Sequence, residues 1–344
     1  MIRSYKYKLR PNKAFLASCN LTLDCCRDLY NAALSQRIGY FKQGRSIGLA
    51  EQSRQLTEVR EMPEVHAILR SFQFNALRRL DRAYQAFFRR VKNGSGEAGF
   101  PRFKGHERYN SFNTADARAF RLEGDKLTVW RLGSCRVRLS RPVPGRPKTL
   151  TIRREFDGWY AVIGCDSVEQ TPLPATGVSV GLDLGLESFA TLSNGATVDN
   201  PRHYRRSEAA LASAQQRVSR KIRGSQSRKR ARRLVARAYA KISRQREWFQ
   251  WQLARELVQK YDLIAVENLH IKGLAQSNLA KSVNDAGWTL FINKLFVKAE
   301  EAGRAVMKVS ARFTSQDCSG CGKRGKKDLV SPLASMPMWH KPLS

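Results

Sequence analysis

Apolar and polar residues alternate at the start of the chain. Residues 2–10 keep a period of two, and Pro11 ends the run. A period of two is typical of a β-strand with one covered face, because successive side chains of a strand point to opposite faces. We predict a single strand here.

From residue 12 the apolar positions recur at three- and four-residue steps, which is the period of an amphipathic helix. Two stretches carry this period: Leu16, Leu23, Cys26, Leu29, Tyr30, Ala33 and Leu34 in the first, and Leu69, Phe72, Leu77, Leu80, Tyr84, Phe87 and Phe88 in the second. Residues 93–96 then give a glycine-rich loop signal. We predict a helical bundle between residues 12 and 93.

The period returns to two between about residues 108 and 172. Runs typical of strands cover 126–130, 135–139 and 150–154. Asp157-Gly158 favours a tight hairpin, because both of its positions tolerate a positive φ. We predict that the strand at 2–10 joins these strands in a small β-barrel, which the helical segment interrupts.

Beyond Pro172 strands and helices alternate. Predicted strands cover 177–184, 188–192, 262–267 and 305–309, and predicted helices run from about 207 to 260, with a break near Gly224, and from about 285 to 302. This order is typical of a mixed α/β sheet. The two halves together predict an α+β multidomain protein.

Two acidic residues end predicted strands of the second half. Asp183 ends the strand at 177–184, and Glu267 ends the strand at 262–267. If these strands are neighbours, the two carboxylates can share divalent cations, which prefer oxygen ligands and activate water for phosphodiester hydrolysis. An aspartate near a glycine after a strand is also a common turn residue. Glu267 is harder to explain in that way, because its strand is expected to be fully buried, where an unpaired carboxylate is costly.

The composition favours a polyanionic partner. The 344 residues carry 62 Lys and Arg against 29 Asp and Glu, a formal net charge of +33. No apolar run reaches the ~18 residues of a membrane-spanning helix, so nucleic acid is favoured over a membrane. The odd number of cysteines, seven, and the absence of a signal-peptide pattern predict a reducing cytoplasm, with the protein at the nucleoid.

The cations cluster in three regions. The predicted phosphate-binding residues are Arg78 and Arg82 in the last helix of the bundle, Arg102 and Lys104 in the segment after it, and Arg220, Lys221, Arg223, Arg228, Lys229, Arg230, Arg232 and Arg233 in the long helical region. Residues 201–248 hold sixteen Lys or Arg and two acids, a density that repels itself unless phosphates neutralise it. The alternative is a solvated helix face, but such a face normally mixes both signs.

The same region also contains apolar residues. Leu211, Ala214, Val218 and Ile222 form an apolar stripe, which predicts that these helices pack on another element. Trp248, Phe249 and Trp251 are expected in the core rather than stacked on bases.

Cys318 and Cys321 have the Cys-x-x-Cys spacing that begins a zinc ribbon. A tetrahedral site needs two more ligands, and His340 supplies one at most, so we expect zinc binding to be weak or absent. The remaining cysteines have no metal-ligand spacing and are expected to be ordinary thiols: Cys19, Cys25, Cys26, Cys135 and Cys165.

Several segments, in their order and spacing, resemble the TnpB (OrfB) family of transposon proteins, which is related to type V CRISPR effectors. The segments are 99–104, 181–185, 266–269, 285–288, 298–300 and 314–322. The resemblance implies an oligonucleotide-binding-like β-barrel (1–11 and 96–172) with a helical recognition insert (12–95). It further implies an RNase H-like (RuvC-like) α/β nuclease domain (173–312), followed by an incomplete zinc-ribbon segment (313–344).

The resemblance also implies partners and chemistry. These are a guide RNA, a double-stranded DNA target with a short motif beside it, and Mg²⁺-dependent cleavage by Asp183, Glu267 and a third aspartate. The third aspartate is expected after the ribbon, and no candidate follows there, so we expect an endonuclease with reduced or absent cleavage.

Two other functions stay open at this point. One is a guided DNA-binding protein or repressor without catalysis. The other is a non-specific RNA-packaging protein, which explains the charge but not the two acids at strand ends.

Overall fold

The structure, a computed structural model, describes residues 2–94, 99–170 and 172–310. These residues fall into two compact units, which divide between Glu169 and Gln170. The predicted zinc-ribbon segment, with Cys318 and Cys321, lies outside the described residues. Within them, no helix combines the length and the apolar character needed to cross a membrane.

The first unit contains the helices expected between residues 12 and 93. They are α1 (Lys13–Lys42), α2 (Leu49–Val59), α3 (Pro63–His66) and α4 (Arg70–Lys92). α1 begins after Asn12, whose side chain accepts a hydrogen bond from the Phe15 amide and so satisfies one free donor of the first turn. The apolar stripes of α1 and α4 face one core, in which Leu34 and Leu80 are fully buried.

A seven-stranded antiparallel sheet completes the first unit. Its strands are β1 (Arg3–Arg10), β2 (Ser111–Thr114), β3 (Phe120–Glu123), β4 (Lys126–Val129), β5 (Gly133–Arg138), β6 (Arg146–Glu155) and β7 (Gly158–Asp166), in the order β2-β6-β7-β1-β5-β4-β3. β1 lies at the centre, paired with β7 and β5, which confirms that the first strand joins the later ones. Closure of this sheet into a barrel stays a prediction.

The hairpin predicted at Asp157-Gly158 is present, but its turn is different. Glu155 pairs with Gly158, so the two loop residues are Phe156 and Asp157. Of these positions only Gly158 takes a positive φ, at +140°, and it is the first residue of β7. The conformation that favours glycine therefore lies at the start of the second strand and not in the loop.

The second unit is built on a five-stranded mixed sheet. Its strands are β8 (Ser179–Asp183), β9 (Ser188–Leu192), β10 (Thr197–Asp199), β11 (Leu263–Glu267) and β12 (Ala305–Val309), in the order β10-β9-β8-β11-β12. β9 is antiparallel to both β8 and β10, whereas β11 is parallel to β8 and β12. The mixed sheet predicted from the element order is confirmed.

The second unit also contains five helices within the described residues. They are α5 (His203–Ser219), α6 (Gln226–Lys260), α7 (Ile271–Leu274), α8 (Ala280–Ala286) and α9 (Trp288–Ala302). α6 has 35 residues and a length of ~52 Å. Its last turns reach the core through Leu253, Leu257 and Val258. The break predicted near Gly224 separates α5 from α6.

The helix expected from about 285 to 302 is α9, which begins three residues later, and residues 285 and 286 are the end of α8. Gly287 takes a left-handed φ of +65° and ends α8, and α9 begins at Trp288. The sequence does not show this boundary, because buried apolar residues keep helical spacing both before and after the single non-helical residue.

Two expectations about the basic region are wrong. Ile222 does not continue the apolar stripe: it lies in the loop after α5 and is 82% exposed. Trp248 is exposed, whereas the neighbouring Phe249 packs edge-on against Phe189 with ring centroids 5.0 Å apart. Successive residues of a helix are rotated by about 100°, so adjacent aromatic residues cannot both face the same core.

The five cysteines of the described residues are free thiols. Burial raises the pKa of Cys19 and Cys26, and it raises the pKa of Cys135 to about 12. These thiols are therefore protonated at neutral pH.

Candidate functional site

Asp183 and Glu267 are the last residues of two neighbouring parallel strands, β8 and β11. Leu182 pairs with Val266, so continuation of this register by one residue sets Asp183 beside Glu267. Neighbouring strands lie ~4.8 Å apart. The structure therefore places Asp183 and Glu267 side by side at the carboxyl ends of these two strands.

Both carboxylates lie on the less covered face of this sheet. Leu182 and Val266 are buried in the core. Because side chains alternate along a strand, the next residues point to the opposite face, where Asp183 is exposed and Glu267 is half-buried. The expectation that Glu267 ends a fully buried strand is wrong, since Leu263, Ala265 and Glu267, which share this face of β11, are half-buried.

Asp262, the residue before β11, holds the opposite ends of the same strands. Its carboxylate accepts hydrogen bonds from the amides of Thr176 and Gly177, which precede β8, at 2.7 to 3.0 Å. Nη1 of Arg304, which precedes β12, lies 2.5 Å from the same carboxylate. Asp262 thus ties the beginnings of three parallel strands together. Since a slip of one residue would turn Asp183 away from Glu267, this anchor supports the geometry of the site.

The electrostatics of Asp262 fit this role. The hydrogen bond from the Thr176 amide, then that from Gly177 and the charge of Arg304, hold the pKa of Asp262 below its ordinary value. Sequence reasoning missed this residue. The signal was an acid directly before a buried strand and an arginine in the equivalent position before the next strand.

Carboxylate oxygens are the donors that Mg²⁺ prefers, so Asp183 and Glu267 fit such an ion as two of its ligands. Across residues 2–94, 99–170 and 172–310, no group of three or more His, Cys, Asp or Glu side chains could hold a metal ion. The described part of the site consists of two oxygen donors at the edge of an accessible sheet face.

A second polar cluster lies where α5, α6 and α8 meet. Asp285 of α8 accepts hydrogen bonds from the amides of Tyr204 at 2.9 Å and Arg205 at 3.3 Å, and it pairs with Arg246 of α6 at 3.0 Å. The buried Gln250 donates to the carbonyl oxygen of Ala286 at 3.0 Å. The cluster fixes α5 and α6 to α8. Sequence reasoning did not assign a role to Asp285, because its partners lie far away in the chain.

Helices α5 and α6 pack on each other, and α6 with the segment between the two helices presents most of the predicted phosphate-binding residues. Arg220, Lys221 and Arg223 lie exposed between the helices, and Lys229, Arg230, Arg232 and Arg233 are exposed in the first turns of α6. Arg228 is half-buried and donates to the Lys221 carbonyl oxygen at 2.8 Å, so part of its role is to hold the loop.

The other predicted cations lie in the first unit. Arg78 and Arg82 are exposed on α4, and Arg102 is exposed in the segment after it. Lys104 is half-buried, and the side chain of Asn31 binds its backbone amide at 2.8 Å and its carbonyl oxygen at 3.0 Å. These contacts attach the segment to α1.

Comparison with known proteins decides the family. Residues 163–278 match the OrfB_IS605 profile, which is described as a probable transposase. A putative RNA-guided DNA endonuclease of Streptomyces pristinaespiralis is 33% identical over 338 residues, which span 95% of this chain and 82% of that protein. The chain belongs to the TnpB (OrfB) family. InsQ of Escherichia coli (strain K12), a putative RNA-guided DNA endonuclease, is 26% identical to this TnpB-family chain over 350 residues, which span 96% of the chain and 86% of InsQ.

Two further family profiles match parts of the TnpB-family chain. A helix-turn-helix domain of the OrfB_IS605 type matches residues 1–46, which contain β1 and α1 here. A Cas12f1-like TNB domain matches residues 288–340, which begin with α9 and continue beyond the described residues.

A solved structure, that of a Cas12f1-sgRNA-target DNA complex, shares the fold. Its Cas12f1 chain superposes with a TM-score of 0.55 and 12% sequence identity, over 91% of this chain and 76% of that one. At this level of identity the likeness concerns the α+β fold.

Proposed function

We propose that this TnpB-family chain is a transposon-associated RNA-guided DNA endonuclease that binds a guide RNA and a double-stranded DNA target. The observation that carries the proposal is the parallel register of β8 and β11, which sets Asp183 beside Glu267. The family relationship supports the same activity. In this proposal the second unit holds an RNase H-like (RuvC-like) nuclease domain, and the first unit is an oligonucleotide-binding-like barrel with a helical recognition insert.

Mg²⁺ is the metal that suits the two carboxylates, and Asp183 and Glu267 would hold it. When bound, the ion supplies Lewis-acid stabilisation of a phosphodiester and lowers the pKa of a bound water. The chain itself provides the fixed spacing of the two ligands through the sheet register, and it leaves their face accessible to a nucleic-acid backbone.

The basic residues of α5, α6 and α4 suit the phosphates of the guide and the target. Lys229, Arg230 and Arg233 are exposed on one helix without an acidic residue between them in the sequence. Lys and Arg that neutralise phosphates release condensed counterions, which makes such binding strong at low salt and independent of base sequence. Base pairing of the guide would then provide the sequence specificity.

A reconstituted cleavage assay tests the proposal. The chain is incubated with a guide RNA from the end of its own element, a matched duplex and Mg²⁺, and product formation is followed. Asp183→Asn and Glu267→Gln should each reduce cleavage by a factor of about 100 or more, because each removes a charged ligand. Asp199→Asn changes an exposed aspartate of β10 and serves as the matched control. Cleavage that survives both ligand substitutions would contradict the assignment.

A second candidate function is guided DNA binding without cleavage. The observation that favours it is that the described residues offer two carboxylates and no third metal-ligating side chain beside them. Fewer ligands weaken the hold on Mg²⁺ and on the attacking water. This function predicts guide-dependent DNA binding that Asp183→Ala and Glu267→Ala leave unchanged, with no product at any Mg²⁺ concentration. Cleavage by the unmodified chain would exclude it.

A further inference from the structure

Exposed aromatic side chains gather where α1 and α4 end. Phe41 at the end of α1 is 63% exposed, Phe88 near the end of α4 is 58% exposed, and Phe100 in the following segment is 43% exposed. We call these three residues the aromatic tip. Large apolar side chains in contact with each other at a surface mark an interaction site more often than single ones do.

Contacts with the buried Phe87 and with each other hold the rings of the aromatic tip in place. Phe87, which is buried, stacks on Phe100 with ring centroids 4.7 Å apart and an interplanar angle of 22°. Phe87 also contacts Phe88, with centroids 5.2 Å apart, and Phe100 meets Phe41 edge-on at 5.5 Å. A base that stacks on these rings would therefore meet a surface that is already ordered, which lowers the entropic cost of binding.

The surroundings of the aromatic tip are strongly basic. Residues 38–48, 85–94 and 99–106 contain seven Lys or Arg and no Asp or Glu; they are Lys42, Arg45, Arg89, Arg90, Lys92, Arg102 and Lys104. Between the second and third of these segments the sequence has one acid, Glu97, which lies outside the described residues. Aromatic rings within a field of cations are the combination that binds single-stranded nucleic acid, because phosphates meet the charges while bases stack on the rings.

A second copy of the chain fits this surface poorly. In a two-fold interface the same patch meets itself, which would bring these seven cations close to seven others. A polyanion has the opposite charge. Of the nucleic acids in the proposed function, the guide RNA presents unpaired bases before any target is bound, whereas the target DNA exposes a single strand only after the guide has displaced it. We propose that the aromatic tip binds unpaired RNA by base stacking; the choice of RNA over DNA rests on the proposed function.

Photo-crosslinking tests this proposal without guide, target or Mg²⁺, so its outcome is separate from that of the cleavage assay. The full chain is mixed with an unstructured 15-nucleotide RNA that carries 5-iodouridine, irradiated and digested, and crosslinked peptides are identified by mass spectrometry. The expected result is crosslinks at Phe41, Phe88 or Phe100. Crosslinks confined to residues 201–248, which hold sixteen Lys or Arg, would overturn the proposal.

Substitutions at Phe88 separate stacking from apolar contact. Phe88→Leu should weaken binding of the same RNA by about tenfold, and Phe88→Trp should retain it, since each base-aromatic stack contributes on that order. The salt dependence of binding should stay the same in both variants, because no phosphate contact is lost. Equal affinities for Phe88→Leu and the unmodified chain would overturn the proposal.

Three controls complete the test. Leu21 of α1 is 55% exposed and lies ~30 Å along the helix from Phe41. Leu21→Ala therefore removes an exposed apolar side chain far from the aromatic tip, and it should not affect RNA binding. Single-stranded DNA of the same sequence should crosslink less at the aromatic tip, and stronger DNA crosslinking there would overturn the assignment to RNA. A dimer in sedimentation analysis that Phe41→Ala dissociates would show that a second copy is the occupant instead.

Discussion

Asp285 caps the first turn of α5, since its Oδ1 accepts a hydrogen bond from the Tyr204 amide at 2.9 Å. The same carboxylate pairs with Arg246 of α6 and is almost fully buried. One side chain therefore holds the N-terminus of one basic helix and the middle of the other. The position of the basic surface in the second unit depends on this contact.

Asp285→Ala should destabilise the second unit. It removes one partner of a buried ion pair and a helix cap together, which costs about 3 kcal/mol, because Arg246 keeps its charge without a counterion. The expected fall in melting temperature is about 5–10 °C, measured by calorimetry. Asp199→Ala, at an exposed position, should change the melting temperature by less than about 2 °C. Equal effects of the two substitutions would show that the Asp285 contacts add little.

Gly287→Ala should destabilise the chain more than Gly224→Ala does. Both glycines have a positive φ, +65° and +85°, so both substitutions carry the strain of a left-handed residue, about 1 kcal/mol. A methyl group at Gly287 would also lie 3.1 Å from Cδ of Arg246 and 3.2 Å from Nε2 of Gln250, whereas no atom of the described residues lies within 4 Å of one at Gly224. Denaturant unfolding measures the free energy of unfolding of both variants. Because the two substitutions share the backbone strain, the difference between them reports the steric contact of the methyl group at Gly287.

Acid should abolish the stabilisation that Asp262 provides. The hydrogen bond from the Thr176 amide, then that from Gly177 and the charge of Arg304, lower the pKa of Asp262 in the folded state. A lowered folded-state pKa stabilises the fold above the unfolded pKa of about 3.9, and this contribution is lost as the pH falls through the folded value. The melting temperature of the unmodified chain should thus be higher than that of Asp262→Asn at pH 7 and 5, and this difference in melting temperature should narrow from pH 4 to 3. A difference in melting temperature that is constant with pH would contradict the role of the Asp262 carboxylate.

The basic residues at the start of α6 should control the salt dependence of RNA binding. The triple substitution of Lys229, Arg230 and Arg233 by Gln should reduce the slope of log affinity against log salt by about 2, since each phosphate contact to a single strand contributes ~0.7. The measurement is fluorescence anisotropy between 50 and 300 mM salt. Arg118→Gln combined with Arg121→Gln is the control, because both arginines are exposed but pair with acids. The control should leave the slope unchanged.

Strand positions and the pairing of the two acids were predictable from the sequence. β9 and β12 have the predicted bounds, and β8 and β11 differ from theirs by at most two residues, because apolar runs bounded by loop residues are strong local signals. The proximity of Asp183 and Glu267 follows from a topological rule: parallel neighbours end at the same edge of a sheet.

What the sequence did not reveal depends on partners that are distant in the chain. Asp262 contacts Thr176 and Arg304, and Asp285 contacts Tyr204 and Arg246; in each case the local sequence contains an ordinary acid. The exposure of Trp248 also depends on tertiary packing, since the periodic pattern does not state which side of a basic helix is covered. The turn at Phe156 and Asp157 was misplaced because hairpin register depends on pairing across both strands.

The sparse packing of α5 and of the first part of α6 has a consequence for how the chain loads its nucleic acid. Before Gln250, the described side chains of these helices bury only Leu211, Ala231 and Ile242, while like charges repel along their length. Bound RNA would neutralise these charges and remove the repulsion. The α5–α6 helix pair should therefore be more rigid with RNA bound and should fray without it. Hydrogen exchange of residues 226–241 with and without RNA would measure this, and equal protection would exclude it. The far end of α6 stays anchored at Leu253 and Leu257, so the sheet that carries the acids should keep its shape in both states.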